Sequence, residues 1–441
     1  MKITDNFNIE SDIYFTSYNA EEDISSGGIE EEESYFDQFL IKSEVRGIVD
    51  FGIQNKFILG LGYLDESLSR NNFYKNNITQ SSVNIFAQFE GFTDKNSNYI
   101  IGARYDNYNN YKSQISPRIA FRTKIFKDVS LKSSIGKGFK APDFRQLFFN
   151  FTNSTVGYSV VGHNVVIDVI SKLTENNQIA NLIVPLNEFN QKLKPETSLS
   201  LNLGLNYNPS NQLKIEINLF RNDINDLIDY RVIANKINGQ NLFSYFNLNK
   251  VYTQGVESTF NYRPNEKLNF IIGYQYLEAK DKDIVTSINN GEVFARKSSN
   301  SPSFVLQPKD YFGLYNRSKH TFNLKIFLEA KNDLKFNLRS KYRSKYGLFD
   351  SNGNDFLDNY DDFVKGYIDL DIAASKKINR SITINFGIDN LLDYTDPSNI
   401  SNLPGRILYG RFNLKPVSYT HLRAHETEAD RVCRLLLEKK R

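Results

Sequence analysis

The sequence predicts an all-β fold, a transmembrane antiparallel β-barrel, on three observations. Apolar and polar residues alternate with a period of two through about 16 or 17 segments. Most of these segments have about ten or more residues, whereas strands of soluble sheets most often have about five or six. Short turns also alternate with long connections along the chain, which is typical of barrels in an outer membrane. Together these features predict strands that cross a bilayer at a tilt, which takes about 9–11 residues each.

The composition favours strands and excludes two other classes of protein. The 441 residues include 34 Phe and 26 Tyr, no Trp and a single Cys, and the mean hydropathy is −0.47. Aromatic residues and Asn favour strands and turns over helices. No run approaches about 18 consecutive apolar residues, so no transmembrane helix is predicted. The net charge of +3 gives no argument for nucleic acid as a partner.

Each predicted strand has one apolar and one polar face. Leu201, Leu203 and Leu205, for example, alternate with Asn202 and Gly204. A period of two places such sets on opposite faces of a strand. The predicted strands are 7–19, 37–50, 55–67, 81–92, 98–109, 114–126, 129–140, 197–208, 212–224, 240–248, 251–263, 267–279, 320–330, 334–346, 366–377, 381–393 and 405–415.

Short turns alternate with long connections along the chain if one assignment is made. The shortest candidate strand, 240–248, must then belong to a loop at 225–250. That choice leaves 16 strands. A soluble propeller would repeat every 40–50 residues or so, and no such repeat is present; strands this long would be unusual in a sandwich. The short turns include 209–211, 264–266, 331–333 and 378–380, and the long connections include 141–196, 280–319, 347–365 and 394–404.

The last residues of the chain differ in character from the rest. From about Val417 the chain holds its only cysteine, Cys433, and two of its four histidines, His421 and His425. The stretch resembles a translated sequencing adapter, the alternative being an amphipathic C-terminal helix. We therefore divide the chain into a barrel region, 1–416, and a non-native tail, 417–441, which is excluded from fold reasoning.

A series of short motifs follows between residues 102 and 406. Their order and spacing resemble those of TonB-dependent outer-membrane receptors, with one difference: Tyr394 follows Asp393 directly, two places earlier than in the family. Several also have simple structural roles, since Pro142 and Pro195 would end strands. The motifs are GARYD (102–106), SPR (116–118), GKGFKAP (136–142), LKPE (193–196), QGVE (254–257), NLLD (390–393) and PGR (404–406).

The resemblance implies a receptor in the outer membrane of a Gram-negative cell that imports a scarce nutrient, such as a ferric siderophore, haem or cobalamin. Receptors of this type are plugged barrels of 22 strands, so the chain would hold about 16–17 of 22. The resemblance also implies a signal peptide, an N-terminal plug and a TonB-contacting segment, none of which is recognisable here. Since open sheet edges do not occur in lipid, we expect that this chain would not insert by itself.

The long connections 141–196, 280–319 and 347–365 are the candidate ligand-capturing loops. Residue type suggests that aromatic side chains stack on a flat ligand and that a guanidinium meets an anionic one. In haem receptors of the family a histidine between the FKAP and LKPE motifs binds iron, and His163 has that position; the alternative is a polar turn. The candidate ligand-binding residues are Arg145, Phe148, Phe149, Tyr158 and His163.

No catalytic residues, cofactor or metal site are predicted, and the protein is not expected to be an enzyme. The run 350–355 carries Asp or Asn at alternate positions, but Asp355 replaces the glycine of a calcium loop, which favours an Asn/Asp-rich outer loop. His320 is interpreted as a rim residue. The expected partners are a TonB system, outer-membrane lipid and an extracellular iron complex, haem or cobalamin-like ligand. A passive porin remains the alternative function.

Overall fold

The computed structural model describes residues 2–26, 29–52, 54–74, 77–153, 157–297, 300–354, 356–400 and 403–415. The predicted tail, 417–441, lies outside them. The chain divides into two compact units, which are described separately. The first comprises Met1–Pro264, Phe270–Leu324 and Lys341–Ile368, and the second comprises Asn265–Asn269, Lys325–Ser340 and Asp369–Arg441.

Strands dominate the described residues. They are β1 (Lys2–Thr4), β2 (Phe7–Ser26), β3 (Ile29–Phe51), β4 (Asn55–Arg70), β5 (Asn77–Asp94), β6 (Ser97–Tyr108), β7 (Gln114–Phe126), β8 (Val129–Lys140), β9 (Asn150–Asn153), β10 (Tyr158–Val161), β11 (Ile179–Leu182), β12 (Glu196–Ser210), β13 (Leu213–Lys236), β14 (Asn241–Asn265), β15 (Leu268–Asp281), β16 (Phe294–Ala295), β17 (Phe304–Val305), β18 (Tyr311–Gly313), β19 (His320–Glu329), β20 (Leu334–Arg343), β21 (Leu357–Asp358), β22 (Tyr367–Lys377), β23 (Ile382–Asp389) and β24 (Ile407–Leu414).

Sixteen of these strands have eight or more residues, which confirms the predicted number. The route to that number was wrong in one respect. Residues 240–248 are not part of a loop, because they continue into 251–263 as the single strand β14. Together with β13 they form a hairpin that extends beyond the neighbouring wall strands.

Helices occur only in the long connections of the described chain. They are α1 (Phe144–Phe148), α2 (Val166–Glu175) and α3 (Lys282–Asn289), with 3-10 turns at His163–Val165 and Leu186–Asn190. The sequence analysis predicted only strands, turns and long connections before the tail, so it missed these elements. Each helix is short, and α2 is rich in Val and Ile, which have only moderate helix propensity. None of the described helices is long and apolar enough to span a membrane.

The wall of the first unit is an antiparallel meander in which β2 to β8 pair in sequence, followed by β12, β13 and β14. On β5, Ser82 and Asn84 are buried, whereas Val83 and Ile85 are 47% and 49% exposed. In water this distribution would be inverted, with the apolar side chains buried. A strand whose aliphatic face meets lipid and whose polar face is covered has this arrangement.

The second unit contains β22, β23 and β24, which pair in sequence and antiparallel. Asn390 of the NLLD motif organises the connection to β24, because its Nδ2 donates to the carbonyl oxygens of Tyr394 at 2.8 Å and Pro404 at 3.0 Å. Its Oδ1 accepts from the Tyr394 amide at 3.0 Å. The C-terminal motifs therefore fix a turn within this unit.

Candidate functional site

Strands of the connection between β8 and β12 extend the sheet beyond the wall, along the extended hairpin of the first unit. β9 pairs with β10, and β10 runs parallel to β14 from Asn241 to Ser244. β11 pairs with the other side of the hairpin, on β13. We call this five-stranded arrangement, β9-β10-β14-β13-β11, the outer sheet.

Helix α2 covers one face of the outer sheet and gives it a hydrophobic core. Val166 of the helix and Ile233 of β13 are both fully buried, and Leu242 of β14 is almost so. Apolar residues recur along α2 at spacings that place them on one side of the helix. The core consists of Val161, Val165, Val166, Val169, Ile170, Val184, Phe189, Ile233, Ala234, Leu242 and Phe246.

Helix α1 joins the wall to the outer sheet. Asp143 begins it with a capping box, in which Asp143 accepts from the Gln146 amide at 2.7 Å and Gln146 accepts from the Asp143 amide at 3.0 Å. The end of α1 lies against Gly162, whose amide donates to the Phe149 carbonyl at 2.7 Å. A side chain at Gly162 would come within 2.3–2.5 Å of backbone atoms of residues 147–149.

His163 is buried beside this contact. Its Nδ1 lies 2.8 Å from the Tyr245 carbonyl oxygen and its Nε2 lies 2.7 Å from the Gln191 carbonyl oxygen. The ring also packs against Phe189 and Phe246. Both nitrogens thus face backbone acceptors, and neither presents a lone pair to a ligand in this placement. His163 ties β14 to the segment that leads into β12.

The opposite face of the outer sheet carries aromatic side chains that contact one another across four strands. Tyr245 pairs with Tyr230, and Phe243 lies on the same face, two residues away along β14. The distances between successive ring centroids are 5.4 Å (149 to 151), 6.3 Å (151 to 158), 6.3 Å (158 to 243), 5.9 Å (243 to 230) and 6.4 Å (230 to 245). We call Phe149, Phe151, Tyr158, Tyr230, Phe243 and Tyr245 the aromatic row.

Arg145 lies at the Tyr245 end of the aromatic row. Burial raises the pKa of the Tyr245 phenol, and the positive charge of Arg145 opposes that rise. The guanidinium is mostly exposed and only loosely paired with Asp143, at 3.9 Å. A charged donor beside partly exposed rings can bind a ligand that is both aromatic and anionic.

The candidate residues thus separate into two groups. Tyr158 and Phe149 lie in the aromatic row and Arg145 lies near it, although Phe149 also packs on the buried Phe73. Phe148 packs against the buried clusters and His163 is interior. The sequence analysis missed Phe151, Tyr230, Phe243 and Tyr245. The period of two at positions 243 and 245 was the available signal, but the segment was assigned to a loop.

The other two long connections of the first unit pack on each other. β16 pairs with β17, and β18 pairs with β21. Lys319 and Lys345 lie 4.5 Å and 5.7 Å from the Phe312 ring centroid, so that ring takes part in two cation–π contacts. The shared core contains Ile288, Ala295, Leu306, Tyr311 and Phe356.

In the loop that begins at Asp350, the aspartate carboxylates bind backbone amides of the loop. Asp361 accepts from the backbone amides of Ser351, Asn352 and Asp358. Asp350 accepts from the amides of Asn352 and Gly353. Among the described residues no group of three His, Cys, Asp or Glu could hold a metal ion. The calcium alternative therefore gains no support; Asp355 itself lies outside the described residues.

His320 has a similar local role at the start of β19. Its Nδ1 lies 2.9 Å from the Tyr274 hydroxyl, and its ring packs against the ring of Tyr276. These contacts agree with its interpretation as a rim residue.

Comparison with known proteins identifies relatives along most of the chain. A family model described as TonB dependent receptor-like, beta-barrel, matches residues 3–391. An iron-regulated outer membrane virulence protein of Vibrio cholerae is 21% identical over 354 residues, which cover 78% of this chain and 45% of that protein. The chain thus spans about half the length of the curated relatives it matches.

Solved structures with a similar fold include three receptors or transporters. The siderophore receptor PirA of Pseudomonas aeruginosa has a TM-score of 0.60 at 14% identity, covering 94% of this chain and 69% of that one. The ferric enterobactin receptor PfeA (Q482A mutant) of the same organism, in complex with enterobactin, has 0.62 at 15%, covering 92% and 59%. The copper transporter OprC has 0.65 at 13%, covering 93% and 63%. These similarities concern the fold.

Proposed function

Since the chain belongs to the TonB-dependent receptor-like β-barrel family, we propose that it is the barrel part of a receptor that binds an iron complex outside the cell and imports it. The family and its relatives place it in the Gram-negative outer membrane. Relatives named as siderophore receptors and as iron-regulated support iron among the possible cargoes.

The observation that carries this proposal is the aromatic row with Arg145 beside it. The row lies on a sheet with its own buried core, so its rings are held in place before a ligand arrives. Preorganised aromatic side chains lose little conformational entropy on binding. A ferric siderophore with catecholate groups combines flat rings with negative charge, and both parts of the site match it.

Transport in this proposal requires a plug domain and TonB, which membership of the family implies. A plug domain would occupy the lumen, and TonB, driven by the inner-membrane proton gradient, would act on the plug to release the ligand inward. Outer-membrane lipid would cover the aliphatic face represented by Val83 and Ile85.

Two alternatives remain predictions. A haem receptor would need His163 as an iron ligand, and both of its nitrogens would first have to leave the Tyr245 and Gln191 carbonyls. A passive porin would need no folded capture surface, so the aromatic row favours the receptor. Full haem binding by a His163→Ala variant would remove the haem proposal.

We also propose that residues 417–441 are not native. Sequencing the source locus across the end of the reading frame tests this. A downstream strand that ends on an aromatic residue would support it, whereas a genuine stop codon after Arg441 would contradict it.

Equilibrium dialysis of ferric enterobactin against the detergent-refolded chain tests the function. We expect Tyr158→Ala and Tyr230→Ala to weaken retention by about two- to tenfold each, since one lost aromatic contact is worth about 0.5–1.5 kcal/mol beyond its area. Tyr207→Ala is the matched control, because Tyr207 is exposed on the aliphatic face of the wall. No retention by the unmodified chain, or an equal loss in the control, would contradict the proposal.

A further inference from the structure

Three cationic side chains stand together on the polar face of the wall, away from the outer sheet. Arg118 and Arg122 belong to β7 and Lys132 belongs to β8. Arg122 and Lys132 are directly opposite each other in the strand register. Like charges in that relation destabilise a sheet. A negative charge bound at this place would offset that repulsion.

The described residues do not provide that charge through an ion pair. The three cations line a cavity of about 390 Å³ in which Glu216 is the one carboxylate, and its Oε1 accepts from Asn206 Nδ2 at 3.0 Å. Other arginines of the same wall are paired: Arg46 with Glu10 and Arg104 with Asp106, both at 2.9 Å. The lining of this cavity thus carries more positive than negative charge.

Glycines leave the cations uncovered. Arg118 lies between Gly102 and Gly136 in the register, and Lys132 lies opposite Gly204. With no side chain at these positions, no neighbouring side chain in the register covers Arg118, and none on the β12 side covers Lys132. Hydrogen-bonding side chains surround it, namely those of Asn98, Ser134, Asn202, Asn206 and Asn218.

The cavity also lies on the side of the wall that does not meet lipid. The neighbours of Arg118 and Arg122 along β7, Ile119 and Phe121, point to the other face and are exposed there. Cations on the polar face therefore face the lumen and not lipid.

We propose that Arg118, Arg122 and Lys132 form a binding site for a multivalent oxyanion on the lumen face of the wall. Guanidinium groups bind carboxylate, catecholate or phosphate oxygens in a bidentate manner, and the ammonium adds a third charge. This inference rests on the proposed function: the imported complex is then anionic, and it meets this site after it leaves the aromatic row.

Isothermal titration of the detergent-refolded 441-residue chain with inorganic pyrophosphate at low salt tests the site. We expect binding that weakens as salt is added, because exposed charges are screened. Arg122→Gln and Lys132→Gln should each weaken it by tenfold or more, judged against circular dichroism that shows an unchanged strand content. Lys137→Gln is the matched control, since Lys137 is on the same strand and pairs with Leu199 on the opposite face.

Failure of the oxyanion site and failure of the proposed function give different results. Absence of pyrophosphate binding, or an equal loss in Lys137→Gln, would overturn the site and leave an acidic protein segment as the partner of these cations. Pyrophosphate binding that depends on Arg122 and Lys132 would support the site even if ferric enterobactin were not retained, in which case the proposed function alone would fail.

Discussion

The wall and the outer sheet share two strands but bury opposite sides of them. On β13, Leu219 is 47% exposed in the wall, whereas Ile233, further along the same strand, is completely buried in the outer sheet. The wall turns its aliphatic side chains toward lipid, and the outer sheet must cover them with α2 because its surroundings are water. The medium around each part of a strand, and not the strand alone, decides which residues form a core.

The largest expected effect is a loss of stability in the outer sheet, and not in the wall, when Gly162 is replaced. Gly162→Ala would place a methyl group within 2.3–2.5 Å of the backbone of α1, where no flexible side chain can move away. We expect the outer sheet to lose more than about 4 kcal/mol of local stability. This is more than overpacking of a core usually costs. Hydrogen exchange of β10 and α2 amides measures it.

Gly136→Ala is the matched control in the wall, because the nearest atoms to its added methyl group lie 3.7 Å away. Equal protection of the outer sheet in Gly162→Ala and Gly136→Ala would contradict the packing described for α1.

A core substitution tests the same contrast along one strand. Ile233→Ala should destabilise the outer sheet by about 3 kcal/mol, as expected when the loss of a buried methylene and two methyl groups leaves a cavity. Leu219→Ala, on the lipid-facing side of β13, should change stability by no more than about 0.5 kcal/mol. The comparison is made by hydrogen exchange in the same micelles. Similar losses in both variants would mean that the two regions do not differ in the way described.

His163→Ala should have an intermediate effect. It removes the buried ring that lies between the Tyr245 and Gln191 carbonyls and packs against Phe189 and Phe246, which should cost about 2 kcal/mol. Limited proteolysis of the 141–195 segment measures the loss, and cleavage in the wall serves as the internal reference. An unchanged cleavage rate would show that the two contacts do not hold the segment in place.

The smallest expected effect is in the aromatic row. Tyr230 is 60% exposed, so Tyr230→Ala should alter the stability of the outer sheet by about 0.5 kcal/mol or less. Thermal unfolding monitored by circular dichroism tests this, and it separates a binding role from a structural one. A large loss of stability would place Tyr230 in the fold instead of in a ligand site.

The wall was predictable because its rule is local. Leu201, Leu203 and Leu205 alternate with polar residues, and β12 carries them as the sequence predicts. Period two, strand length and the turns suffice for that inference, since each strand pairs with its neighbour in the chain. The motifs around Asn390 were also informative, because they fix a local turn.

The outer sheet was not predictable by the same means. β10 pairs in parallel with β14, about 80 residues later in the chain, and no local pattern specifies that contact. Tyr158 and Tyr230 become neighbours of Phe243 only through this long-range pairing. His163 was a candidate because of its type and place between two motifs, whereas its partners are backbone carbonyls that a sequence does not reveal.

Hydrogen exchange of the refolded chain tests most directly that the 141–195 connection is a folded sheet and not a flexible capture loop. We predict that amides of β10 and of residues 241–244 exchange at least 100-fold or so more slowly than those of the turn at 237–240, and that they lose protection together in Gly162→Ala. Exchange of β10 at the rate of that turn in the unmodified chain would contradict this.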